Sequence, residues 1–176
     1  NEFSFETKKI EILNEGKLIV ADEGRAISSD NNLEIQAVNF EYFKDLSLLK
    51  ASQGSAFIKS SNIKIDFNEL EVDQEKNIMK AYDNVKIVDE EKKLVIETNI
   101  VVYDKNTNNI KSTTKSILRD RKNNILQTKY FNYDLNESII KINDANFKDP
   151  ENNNIKIQIA YLNTISNKLY GKDVVI

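Results

Sequence analysis

The sequence predicts an all-β domain of about eleven or twelve mostly antiparallel strands. Three observations carry that reading. Apolar residues alternate with polar ones in short runs, as in Leu33/Ile35/Ala37, Ile63/Ile65/Phe67, Leu94/Ile96/Thr98 and Ile155/Ile157/Ile159, which is the period of a half-buried strand. The first residues of the units, Leu33, Ile63, Leu94, Ile125 and Ile155, recur every 30 or 31 residues, so the chain is a tandem repeat. Finally, no stretch carries a sustained helical stripe and no Gly- or Pro-rich linker divides the chain, so residues 1–176 are expected to form one domain.

Each unit holds two strands. In the first, the alternation slips by one residue, and the apolar set continues at Phe40/Tyr42, Leu70/Val72, Val101/Tyr103 and Phe131/Tyr133. Such a slip turns every later side chain to the other face unless the strand bulges or bends, so a corner is expected there. Polar turns follow: FKDLS (43 to 47), DQEKN (73 to 77), DKNTNN (104 to 109) and DLNES (134 to 138). The second strand is thin at its centre. LIVADEGRAI (18 to 27), LLKASQGSAF (48 to 57) and IMKAYDNVKI (78 to 87) align Ala21, Ala51 and Ala81, then Gly24, Gly54 and Asn84. Positions without bulk suit a bent sheet where backbone approaches backbone or a ligand. The unit at Ile125 departs from the pattern, with Gln127 and Lys129 where its neighbours are apolar. Either the interior opens to solvent there or the register is displaced.

Composition narrows the function. The 176 residues are 40% hydrophobic and 30% charged with a net charge of -3, so a core is expected and the basic field that a nucleic-acid partner needs is missing. There is no cysteine and no histidine, which removes thiolate chemistry, the usual zinc ligands and the common acid-base residue. The expectation is a protein that is not an enzyme and uses no cofactor or metal. Acidic neighbours such as Asp66, Glu69 and Glu71, or Asp89, Glu90 and Glu91, read as solvated faces and turn tips. Asp104 to Asn108 spaces oxygen ligands but lacks the glycine and glutamate of a helical calcium loop, so it reads as a turn. The aromatic series Phe40, Tyr42, Phe67, Tyr103, Phe131 and Tyr133 reads as core, with an incompletely filled apolar interior as the alternative. Abundant Ile, Lys and Asn are read as coding bias. No run of residues is long and apolar enough for a membrane helix, and NEFSFETKK lacks a signal pattern, so export would require a signal before Asn1.

The pattern LEIQAVNFEY (33 to 42) followed by LKASQGSAFI (49 to 58) resembles the OstA repeat of the lipopolysaccharide-transport (Lpt) proteins, in tandem from about Leu18 to Ile176. The resemblance implies an open, twisted β jelly roll in the periplasm of a Gram-negative cell, associated with the outer membrane. It implies lipopolysaccharide as the ligand, its acyl chains inside an apolar groove, and stacking on other Lpt jelly rolls through edge strands. The favoured branch is the N-terminal domain of the outer-membrane assembly member, a fragment of a longer protein that partners its own C-terminal barrel. The alternative is the periplasmic bridge member, and a more remote one a β-helical adhesin or polysaccharide-active protein. An eight-stranded closed lipid barrel is the third architecture weighed. The groove residues expected on this reading are Ile35, Ala37, Phe40 and Tyr42, then Ile65, Phe67, Leu70 and Val72, and Ile96, Val101 and Tyr103.

Overall fold

A computed structural model describes residues 3–151 and 153–175. Among them the chain forms fourteen strands: β1 (Phe3–Leu13), β2 (Leu18–Ser28), β3 (Leu33–Phe43), β4 (Leu48–Ile58), β5 (Ile63–Asp73), β6 (Ile78–Asp89), β7 (Leu94–Asp104), β8 (Asn109–Ser112), β9 (Ser116–Arg119), β10 (Ile125–Thr128), β11 (Tyr130–Asp134), β12 (Ile139–Lys148), β13 (Asn154–Asn163) and β14 (Lys168–Val175). Two bent strands break at their corners, into β8 with β9 and β10 with β11, which raises the count above the expected eleven or twelve. The fold is all-β, consistent with the jelly roll. Neighbouring strands pair antiparallel throughout, as in β2 with β3 and β12 with β13, which removes the parallel coils of a β-helix. The sheet begins at β1 and ends at β14, each paired on one side, so it is not a closed barrel.

The slip in alternation is a corner in every long strand. Asn39 pairs with Asp22 and Ala37 with Gly24, so Val38 and Glu23 stand between rungs of the ladder. The same skip places Lys8, Gln53 and Asn68 at the corners of β1, β4 and β5, so that Lys8, Glu23, Val38, Gln53 and Asn68 follow one another at steps of fifteen residues. Glu23, Gln53, Asp83, Asn84 and Asp144 have positive φ there, a conformation that turns the backbone sharply. Glycine follows because the preceding strand lies against it. A Cβ on Gly54 would fall 2.0 Å from the Gln36 carbonyl oxygen, and one on Gly24 2.2 Å from that of Glu6.

Bending brings the two halves of the sheet face to face over one core. Ile35, Phe40, Leu49, Ile58, Ile65, Met79, Ile87, Ile96, Phe131 and Ile142 are all within 2% of full burial. At about 0.8 kcal/mol per buried methylene this lining dominates stability. Outer faces carry half-exposed ion pairs such as Lys50 with Glu71 at 3.2 Å and Arg25 with Glu6 at 2.7 Å, each worth about 1 kcal/mol at most.

The displaced register, rather than an opening to solvent, explains the aberrant unit. Leu126 and Thr128 point inward, and Gln127 and Lys129 are exposed. In β13 the corner falls at Gln158, between the paired Ile157 and Ile159, so Ile159 lies past it rather than continuing the run from Ile155. Asn84 also differs from its alignment. Val85, not Asn84, pairs with Thr98 as Gly54 pairs with Ala37, and Asn84 is an extra residue in a bulge.

Asparagine has a structural use beyond coding bias. Asn31, Asn62, Asn77, Asn108, Asn123 and Asn167 all sit in turns with positive φ, which asparagine tolerates. Aspartates open many of these turns: Asp73, Asp104 and Asp134 accept hydrogen bonds from the backbone N–H of Lys76, Asn106 and Asn136 at 2.9 to 3.0 Å. The Asp104 loop is therefore a turn whose carboxylate serves its own backbone.

Candidate functional site

The turns gather into two rims. One holds residues 14–17, 44–47, 74–77, 105–108, 135–138 and 164–167, laced by backbone bonds in which Lys44 donates to Lys17, Gln74 to Ser47, Lys105 to Asn77, Leu135 to Asn108 and Thr164 to Ser138, at 2.9 to 3.1 Å. The other holds 29–32, 59–62, 90–93, 120–124 and, among the described residues of the next turn, 149–151 and 153, and in it Lys59 donates to Asn32 at 2.9 Å. Between the rims runs the apolar interior. A corner therefore forms the floor of a trough, and the rims form its mouth.

All eleven expected groove residues lie in this interior. Ile35, Ala37, Ile65, Phe67 and Ile96 stand before the corners, and Phe40, Tyr42, Leu70, Val72, Val101 and Tyr103 after them, all in one buried cluster. Sequence reading missed two contributions. The strands β4, β6 and β12 supply Leu49, Ile58, Met79, Ile87 and Ile142, visible as alternation on either side of the thin centre. The first strand was missed too, although FSFETKKIEI (3 to 12) already follows the unit pattern. Phe3 meets Tyr42 edge-on at 6.0 Å and Phe5 meets Phe40 at 5.9 Å, so β1 packs across the trough.

The lining runs to the open end of the sheet. By pairing, Ile10 and Ile12 in β1 take the places of Phe40 and Tyr42 in β3. They are 50% and 66% exposed because no further strand covers them. The floor turns polar where β8 and β9 part, as it does at Thr128 where β10 and β11 part. At the first of these places Thr98 lies 3.0 Å from the hydroxyls of Ser112 and Thr114 and accepts a hydrogen bond from Ser116 at 2.8 Å.

Polar contacts close the mouth. Lys105 on one rim donates to Asp30 on the other, and that bond, with the Ser28 hydroxyl, holds the Asp30 carboxyl at a pKa of about 2. Farther along, the Tyr133 hydroxyl donates to buried Asp89 at 3.0 Å, and the Lys92 ammonium donates to the same oxygen at 2.9 Å. Burial works against the Lys92 ammonium, but Asp89 and Tyr133 outweigh it and raise its pKa; burial itself raises that of Tyr133. At the far end Asn167 donates to Asp120 at 3.1 Å and Arg121 to the Ser166 carbonyl at 3.2 Å.

Under the Lys105 to Asp30 contact lies a cavity of about 90 Å³. Phe3, Leu33, Ile58, Val72 and Met79 form its apolar part, and Ser28, Asn32, Gln74 and Asn77 are among its polar residues. A polar cleft of about 620 Å³ follows on the mouth, between Asn62, Lys92 and Arg121 on one rim and Asn108, Asn136 and Thr164 on the other. Chemically the arrangement suits apolar chains within and polar groups at the rims. Among the described residues no cluster of three or more acidic, His or Cys side chains could hold a metal, and no helix is long and apolar enough to cross a membrane.

A family model described as OstA-like protein matches residues 47–175, which covers β4 to β14. No curated protein matches the chain.

Proposed function

The chain belongs to the OstA-like family, a family of lipopolysaccharide transport, and from that premise we propose that it carries the acyl chains of lipid A through its trough toward the outer membrane. It acts in the periplasm by passive carriage, without making or breaking a bond. The observation that carries this reading is the apolar lining, continuous across seven long strands from Ile10 and Ile12 inward and flanked by two polar rims. Acyl chains gain about 0.8 kcal/mol per methylene buried in such a lining, without a directional contact to hold them in place.

Stacking fits the same picture. The first strand keeps the inward pattern of β3 and β5, so it is the kind of strand that would continue the sheet beyond β14, and an unpaired edge is a template for another chain. We assign the chain to the N-terminal domain of LptD, with the bridge protein LptA as the runner-up. Sequencing the reading frame beyond Ile176 separates the two: amphipathic barrel strands would support the first and a nearby stop the second.

Photo-crosslinkers test the groove. Placed at Ile35, Phe40, Ile65, Phe67, Leu70, Ile96 or Val101 they should capture lipopolysaccharide during transport, and at the outward Glu34, Lys64 or Glu97 they should not. Equal labelling of both faces would overturn the proposal.

A further inference from the structure

The mouth is nearly closed where Lys105 meets Asp30. A cavity of about 90 Å³ is smaller than the roughly 150 Å³ that holds one benzene, so no acyl chain enters at this point until the rims part. The contact over that cavity is the pair of Lys105, on the turn after β7, and Asp30, on the turn after β2. Both side chains are more than 40% exposed, so water and solutes reach them.

We propose that this pair is an exchangeable latch: the phosphate of an anionic amphiphile takes the place of Asp30 on Lys105, and its apolar chain enters the cavity beneath as the rims separate. This rests on the acyl-carrying reading above and adds to it the chemistry of the loading point. Three features support the exchange. Asp30 does not lose its other partners when Lys105 leaves, because the Ser28 hydroxyl donates to it at 2.6 Å and the Asn32 backbone N–H at 3.2 Å. Lys105 exchanges one oxyanion for another and never stands unpaired. The second carboxylate at the cavity, Asp73, is held by Lys76 at 2.6 Å, which leaves it less able to repel an incoming anion. Amides and hydroxyls of Ser28, Asn32 and Asn77 complete a polar collar above the apolar walls.

Calorimetric titration with dodecyl phosphate, dodecyl maltoside and inorganic phosphate, each below any micelle concentration, tests the latch. Wild-type protein should bind dodecyl phosphate about fivefold more tightly than the neutral maltoside. Inorganic phosphate, which lacks the chain, should not compete at equal concentration. Lys105→Gln should abolish the preference by weakening the phosphate alone, and Asp30→Asn should tighten it. Both positions lie in exposed turns, and circular dichroism confirms folding. As an independent arm, Asp30→Cys with Lys105→Cys, bridged by a short bis-maleimide, should block both amphiphiles, whereas the unbridged protein loads them. Equal affinities with no response to Lys105→Gln, or loading of the bridged protein, would overturn the latch while leaving the groove intact. If inorganic phosphate competes fully, Lys105 is a free-phosphate site and the latch fails. Binding of neither amphiphile would sink the groove reading as well.

Discussion

Gly54 shows how much one side chain can decide in this fold. Its missing Cβ would fall 2.0 Å from the Gln36 carbonyl oxygen and 2.8 Å from Ala37 Cα, both rigid backbone. Neither can yield without moving a strand, so Gly54→Ala should lower stability by about 3 kcal/mol, read as a shift in the urea midpoint at constant slope. This glycine was legible as a place of low bulk, but the sequence left open whether backbone or ligand approached it. The structure answers that it is backbone. Val38, at the matching corner of β3, is 41% exposed despite being apolar. Its side chain stands between rungs, where neither face of the sheet can bury it.

At the scale of the strand, two solutions to the corner coexist. Strands β2 and β4 use glycine, while β6 has 12 residues in place of 11 and spends the extra one, Asn84, on a bulge. That bulge lets Val85 keep a buried side chain at the position where the others have glycine. Deleting Asn84 alone should therefore cost about 2 kcal/mol or more, whereas the same deletion with Val85→Gly should recover most of the loss, as thermal unfolding would report. Register was the part of the fold least legible in advance. Alternation in Ile35, Ile65 and Ile96 is strict enough to set the inward face. At Ile125 two apolar residues, Ile125 and Leu126, are adjacent, and period two cannot choose between them. Ile155, Ile157 and Ile159 misled in the opposite way, since an unbroken run of isoleucines conceals the corner at Gln158. Contacts between rims, such as Lys105 with Asp30, join residues 75 apart and leave no periodic trace.

For the molecule as a whole, acid should loosen the mouth of the trough before it melts the core. Asp30 has its carboxyl pKa lowered from 3.8 to about 2 by Lys105 and Ser28. The ionised form is favoured by folding, so this contribution is complete above the ordinary value and is lost as pH falls through about 2. Asp30→Asn should flatten the stability profile over that window, by a small amount because the pair is half exposed, when unfolding is followed from pH 5 to 2. Glu34, lowered by Lys59, and Asp73, lowered by Lys76, titrate in the same direction and remain in the variant. The corner row at Lys8, Glu23, Val38, Gln53 and Asn68 has a different consequence. Because the hairpins of β1 to β5 repeat the same bend at a fixed spacing, one such repeat adds two strands, or about 10 Å of trough, without disturbing its neighbours. The chain is thus a ruler graduated in hairpins, and the length of its trough can be increased or reduced by duplicating or deleting a single 30-residue unit.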